Sequence, residues 1–362
     1  MNQLEQELFI SLASFKDTDS KSLNNLVSYA ATPKVLGHIF FNRMQGVSYG
    51  VLKENKLLGS INRVFRNSLR DAYEHNLTGN YSYYECVDYL NNILKGAKRK
   101  YAMLKGAVLC GLYPKGYRRA NDIDLLVSTK DISAIGRILT DNGFIQGHIF
   151  NGELIPAERK EIIESKMMRG ETVPYIKMVD LPEMKYLEVD INYSLDYKNS
   201  KDNVVDMMLN NTVNINVCGK QVRTLCGIDF FLHLCAHLYK EAVTYPWIKM
   251  KRDMSLYKYS DIYMMLCDGR FYGDRPEFLY KRAEELNLMD VLCFAVIQTA
   301  ELYGLKKDSG GIIQAAGNYI QKNEQIIHTV INPEEKKTYV YREKNIRDRF
   351  FNNDRITLLK EM

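Results

Sequence analysis

The stretch Asn121-Asp122-Ile123-Asp124-Leu125-Leu126-Val127 sets two acids at the start of an apolar, β-type run. On a strand, side chains two apart share a face. Asp122 and Asp124 therefore project together, while Ile123 and Leu125 turn to the opposite, buried side. Two like charges held this close beside apolar neighbours need a compensating cation. Magnesium suits the pair, being hard, oxygen-seeking and commonly held by one or two carboxylates together with substrate phosphates. A D-x-D pair alone is equally the cap of a loop entering a strand, so the flanking sequence has to separate the two readings.

Upstream, Tyr101–Leu104 is a short apolar run ending at Lys105-Gly106, and a helix is predicted over Ala107–Tyr113, stopped by Pro114 and Gly116. A glycine between strand and helix lets backbone N–H groups approach a phosphate, and a helix N-terminus favours negative charge. Downstream, Met184–Tyr193 alternates as a second strand and offers Asp190 as a third carboxylate; Glu188, two residues away on the same face, is the fallback. Three carboxylates and a phosphate cradle are the parts a two-metal phosphoryl or nucleotidyl transfer requires. Asp122, Asp124 and Asp190 are accordingly the expected catalytic and metal-binding residues, with Asp190 also helping to deprotonate the acceptor. Lys105 and Gly106 are expected on the phosphates, and Arg118 or Arg119 is expected to neutralise charge there.

Outward from this core, residues 1–98 read as an N-terminal helical region, carried by the spacing of LEQELFISLASF and of Tyr81–Leu94. Residues 99–227 read as an α/β domain: a strand over Ile123–Val127, a helix over Asp131–Asn142 closed by Gly143, and a hairpin over Val213–Leu225 turning at Cys218-Gly219. The stretch 147–182 is harder to read, with a helix expected over Glu158–Met168. Residues 228–332 return to helical period through FFLHLCAHLYKEA and SLYKYSDIYMMLC, and 333–362 form a charged tail expected as a solvated or partly ordered helix. The fold class is α+β: a mixed sheet serving as a platform between helical flanks.

Composition narrows the classes. A chain of 362 residues with 46% hydrophobic and 26% charged residues builds a sizeable core without staples. The net charge of +5, from 49 basic and 44 acidic side chains, does not by itself imply a nucleic-acid partner. Seven cysteines, scattered, odd in number and without a C-x-x-C pair, argue against a zinc ribbon or a disulfide framework and fit a reducing cytoplasm. The first residues lack the basic and apolar pattern of a signal peptide, and no run is long enough for a membrane span. A cytoplasmic protein without a membrane partner is the expectation.

The string Leu104-Lys105-Gly106-Ala107-x-Leu109, then Leu112-Tyr113-Pro114, Arg118 or Arg119, and Asp122–Val127 resembles the bacterial uncharacterised nucleotidyltransferase family of the DNA polymerase beta-like superfamily, over roughly residues 30–265. The resemblance implies a polymerase-beta-type mixed sheet whose adjacent strands present the carboxylates. It implies magnesium or manganese as cofactor and an NTP, ATP foremost, as co-substrate. It also makes Lys240 and Lys258 candidates for reaching the triphosphate from the following helical region. Two departures stand out: Ala107 follows Gly106 where the superfamily has serine, and Asn192 lies where members often carry histidine. The expected reaction is transfer of an NMP, foremost AMP, to a hydroxyl or phosphate of an unidentified acceptor: a small molecule, peptide or glycan.

Other readings stay in view. His233 and His237 share a helical face, but HLCAH lacks the acid of a zinc-hydrolase motif. The Lys95–Lys100 run and Arg118-Arg119 are compatible with a nucleic-acid-processing enzyme, although no recognition motif accompanies them. Ala107 in the serine position is compatible with a non-catalytic NTP-binding pseudoenzyme.

Overall fold

The computed structural model describes residues 1–16, 18–97, 99–197, 202–268, 276–305 and 311–362. The middle of the Lys95–Lys100 basic run, position 98, lies outside them. The chain forms two units, one of residues 74–230 and one of residues 1–73 with 231–362. The long helix Arg63–Leu94 contributes its first turns to the latter and the remainder to the former.

The 74–230 unit is built on a six-stranded sheet. Its strands are β1 (Tyr101–Met103), β2 (Asp122–Val127), β3 (Ile145–Phe150), β4 (Glu153–Pro156), β5 (Tyr175–Leu181) and β6 (Met184–Asn192), in the order β1-β2-β6-β5-β3-β4. The β2–β6 pair is parallel and the other pairs are antiparallel, so the sheet is mixed, as the sequence predicts. Alternation sorts its two central strands: Ile123, Leu125, Val189 and Ile191 are fully buried on one face, and the acids occupy the other. Tyr83, Val87, Leu90 and Leu94, at helical spacing on Arg63–Leu94, are also buried. A separate hairpin of β7 (Thr212–Val217) and β8 (Lys220–Leu225) turns at Cys218 (φ 52°) and Gly219 (φ 81°). Two consecutive positive φ values match the two-residue turn whose twist suits a hairpin, as the Cys-Gly reading expects.

The segment that sequence left obscure, 147–182, holds most of β3 and all of β4, the helix Arg159–Met168 and β5. β3 and β4 lie at the sheet edge and are largely exposed, so they lack the apolar alternation that marks a strand.

The other unit is mainly helical, consistent with the predicted helical flanks. Asn2 and Glu5 form a reciprocal capping box on Gln3–Ser11, and Thr32 caps Pro33–Phe41, with proline in its first turn. Met289–Tyr303 is buried almost all round, as befits a central helix of its unit. The charged tail departs from expectation. It folds into β10 (Lys337–Tyr341), the helix Ile346–Phe351 and β11 (Leu359–Glu361), with β10 between β9 (Thr329–Asn332) and β11. The reason is that part of its charge is internal: Arg355 is buried and makes two bonds to Asp253, Nη2–Oδ1 at 2.6 Å and Nε–Oδ2 at 2.7 Å.

Candidate active site

The parallel register of β2 and β6 brings the acids together. Asp122 lies opposite Glu188, Asp124 opposite Asp190, and Leu126 opposite Asn192. Partners in register on neighbouring strands share a face, so Asp122, Asp124, Glu188 and Asp190 form a two-by-two block of carboxylates. Asp122 is exposed at the rim, Glu188 and Asp190 are half-buried, and Asp124 is buried.

This crowding is visible in proton affinity. Burial raises the Asp190 carboxyl well above the ordinary aspartate range, and Asp124, Asp122 and Glu188 raise it further against the opposing pull of Lys105. Asp124 is raised by burial and by Asp122, and lowered by Lys105 and by a hydrogen bond from Asn192. Glu188 is raised by burial and then by Asp122.

Lys105 answers part of this charge. Its Nζ lies 2.7 Å from Asp124 Oδ1. Its backbone, at φ 40° and ψ −108°, is outside the regions a side-chain-bearing residue normally adopts. Strain of this kind persists where the surroundings over-determine it, and it clusters at functional sites. Asn192 Nδ2 donates to the same Oδ1 at 3.2 Å and so holds the Asp124 carboxylate from a second side.

Gly106 is closely packed on its Cα side. A Cβ there would lie 2.3 Å from Ala120 Cβ and 3.0 Å from the Tyr83 hydroxyl. Close packing thus requires the glycine. The amides of Ala107, Val108 and Leu109 donate to the carbonyls of Leu104 and Lys105.

The arginines are tied down. Arg119 donates from Nη2 to the Glu183 carbonyl at 2.6 Å and from Nε to Asn121 Oδ1 at 3.1 Å. Its guanidinium lies so close to Gly79 that a Cβ there would meet Cζ at 2.8 Å. Arg118 donates to the Arg119 carbonyl. Lys240 and Lys258 belong to the other unit. Lys258 is buried and ion-paired with Glu241, a partner that a desolvated ammonium needs. His237 likewise faces Glu241, at 3.5 Å.

Sequence reasoning missed the scaffold behind Asp122. Three side chains on one face of Arg63–Leu94 donate to carbonyls of the loop entering β2 and of its first residue: Asn76 Nδ2 to Gly116 at 2.9 Å, Asn80 Nδ2 to Arg118 at 2.7 Å, and Tyr83 OH to Asp122 at 3.1 Å. Their spacing is helical and could have been noticed. Their acceptors are backbone atoms, which leave no mark in sequence.

Donor chemistry decides whether a metal suits this block. Four clustered oxygen acids, of which Asp124, Glu188 and Asp190 are raised in proton affinity by burial and by neighbouring acids, fit a hard divalent cation, and the Lys105 ammonium on Asp124 is a stand-in for one. Among the described residues no three His, Cys, Asp or Glu side chains are already gathered into a metal cage, in keeping with Lys105 holding Asp124.

Comparison with known proteins bears on the same region. The model of a family described as uncharacterised nucleotidyltransferase matches residues 33–304. An antigenic nucleotidyltransferase-like protein from Paracoccidioides brasiliensis is similar in structure at 14% identity and a TM-score of 0.31, over 66% of this chain and 97% of that one. No curated protein matches. With three quarters of its length spanned by the family model, the chain belongs to the uncharacterised nucleotidyltransferase family.

Proposed function

We propose that this family member transfers a nucleoside monophosphate, foremost AMP, from an NTP to an acceptor hydroxyl or phosphate in a magnesium-dependent reaction. The observation that carries the reading is the register of β2 and β6, which sets Asp122 and Asp124 beside Glu188 and Asp190 on one face. Asp122, Asp124 and Asp190 would hold magnesium, which when bound supplies charge neutralisation for the triphosphate and the leaving pyrophosphate.

The chain's own groups divide the remaining work. Asp190, with proton affinity raised by burial, is suited to accept the acceptor's proton, since a base works best with its pKa moved toward working pH. Lys105 is near enough to exchange its Asp124 contact for a phosphate oxygen, giving the ammonium a role in substrate binding. Asn192 keeps Asp124 oriented during that exchange. Arg118 and Arg119, beside Asp122 in sequence, add positive charge at the rim. The acceptor class that best suits a weakly basic protein without a recognition motif for nucleic acid is a small molecule, peptide or glycan.

The Lys105–Asp124 pair also favours a second reading, a non-catalytic NTP-binding protein, because it compensates part of the carboxylate charge without a metal. Titration with each of the four non-hydrolysable NTPs, with and without magnesium, tests both on wild type and on the Asp122→Asn/Asp124→Asn protein. Magnesium-dependent binding of one NTP, lost in the double variant, is expected. Metal-independent binding favours the second reading, and no binding to any NTP removes both.

A further inference from the structure

On the sheet face that carries the carboxylates, the register continues past the acids. Ile176 on β5 lies opposite Glu188, Met178 lies opposite Tyr186, and Ile145 on β3 lies opposite Ile176. Register partners, and residues two apart on one strand, share a face. Asp122, Glu188, Ile176 and Ile145 therefore form one row across β2, β6, β5 and β3, and Tyr186 and Met178 form the row beside it. Ile145, Ile176, Met178 and Tyr186 make a continuous apolar shelf that begins where the acids end.

Burial sets this shelf apart from the core behind it. On the opposite face of the same strands, Tyr175, Leu187 and Val189 are buried, and the Lys177 ammonium lies 4.8 Å from the Tyr89 ring centroid. On the acidic face Ile176 is buried too, but Ile145 and Met178 are 45% and 46% exposed and Tyr186 is half-buried. A sheet face that meets only water takes polar residues at such positions. Adjoining apolar side chains beside a polar cluster are instead the make-up of a ligand surface, where an apolar wall accompanies a few convergent polar groups. The outer rim is polar: Asp180, two residues beyond Met178, is exposed and pairs with Lys185 at 2.6 Å.

Position decides which substrate the shelf serves. In the order β1-β2-β6-β5-β3-β4, Lys105 follows β1 and its ammonium meets Asp124 on β2. The shelf lies on β6, β5 and β3, on the other side of the Asp122–Asp124 pair. In-line displacement sets nucleophile and leaving group on opposite sides of the phosphorus. With the triphosphate held at Lys105, the acceptor approaches from the side of Asp190 and the shelf. Its oxygen bonds the α-phosphorus while the bond from that phosphorus to the oxygen bridging the β-phosphorus breaks. Pyrophosphate leaves on the Lys105 side, and the hydroxyl proton passes to Asp190.

We propose that Ile145, Ile176, Met178 and Tyr186 form the acceptor subsite, and that the acceptor is a small hydroxyl compound with an uncharged apolar body, aromatic or aliphatic. The inference rests on the nucleotidyl-transfer reading and narrows its acceptor. Covering the exposed parts of Ile145 and Met178 takes apolar area out of water, which favours an apolar body. An all-polar glycan would press its hydroxyls against Ile145, Ile176 and Met178, which offer them no hydrogen-bond partner. The acids in the adjoining positions disfavour an anionic one.

The test is an NMR titration of the full chain, labelled in its methionine and isoleucine methyl groups, with p-cresol as an apolar hydroxyl compound and glycerol as a polar one. Saturable shifts of the Met178 and Ile145 signals with p-cresol, and none with glycerol, are expected. Met167 and Met250, more exposed than Met178 but away from the shelf, should stay in place. Met178→Gln should weaken p-cresol binding, read at Ile145, by about tenfold. Equal shifts at all exposed methyls overturn the proposal. So does displacement of p-cresol by magnesium with a non-hydrolysable NTP, which would give the shelf to the base. Magnesium-dependent NTP binding is measured in parallel. Where it is present and p-cresol leaves Met178 and Ile145 unmoved, the shelf falls and the nucleotide reading stands; where it is absent, that reading falls and the acceptor assignment with it.

Discussion

Replacing Asp190 with asparagine should stabilise the folded protein while removing its activity. In the sheet, Asp190 is the register partner of Asp124 on the adjacent parallel strand, and neighbouring strands run about 4.8 Å apart. Two unit charges at that spacing repel by about 3 kcal/mol at an effective dielectric constant of about 20. Lys105, on Asp124, offsets part of this, leaving a gain of about 1–3 kcal/mol on replacing one charge with a neutral amide. For a unit the size of residues 74–230, that raises the melting temperature by roughly 3–10 °C. The sign depends on pH in a defined way. The folded carboxyl has a raised pKa, so the folded state holds its proton more tightly than the unfolded chain does. The cost is therefore absent below the unfolded aspartate range and is incurred in full as pH rises past the raised folded value. Calorimetry of metal-free protein should show the stabilisation at about pH 8 and little of it at about pH 4. The same variant should lose nucleotidyl transfer by ~100-fold or more, the usual loss of a general base. An Asp190→Asn protein that melts lower than wild type by the same amount at both pH values refutes the reasoning, since that is the signature of a lost hydrogen-bond acceptor.

Magnesium should raise the melting temperature of wild type and leave that of Asp122→Asn/Asp124→Asn unchanged; an equal shift in both would place the metal elsewhere. Gly106→Ala should cost about 1–3 kcal/mol in denaturant unfolding, because its Cβ would meet another Cβ that has no rotamer to move into. Tyr83→Phe, which removes the hydroxyl bonded to the Asp122 carbonyl, should cost about 1 kcal/mol and lower kcat with little change in KM; a change confined to KM would argue against a positioning role. Asp253→Asn should destabilise by about 3–5 kcal/mol, the usual effect of leaving one buried partner charged and unmatched; a loss below 1 kcal/mol would show the pair to be incidental.

What could be read from sequence was local. The D-x-D pair, the strand beneath it and the Cys218-Gly219 hairpin each declare themselves within a few residues, because alternation and turn chemistry are short-range. The partner strand could be named, but not its register, and it is register that puts Asp190 rather than Glu188 beside Asp124. The Lys105 contact and the Asn76–Asn80–Tyr83 ladder were illegible for a related reason: one depends on tertiary proximity and the other ends on carbonyls common to every residue. The tail misled because a run of charges is normally solvated, whereas Arg349 and Arg355 are buried. β3 and β4 escaped notice because strands at a half-exposed edge need no apolar alternation.

The parallel pairing of β2 with β6 also carries a consequence for how the molecule comes together. Parallel neighbours cannot be joined by a tight turn, and here residues 128–183 intervene. The two acidic rows therefore meet only when that long excursion closes, an expensive long-range step in folding. Their mutual repulsion is felt at closure and hardly before it. A growing chain that has emerged only as far as β5 carries two harmless aspartates. The block of carboxylates, and with it any appetite for a divalent ion, comes into being when β6 slots into place.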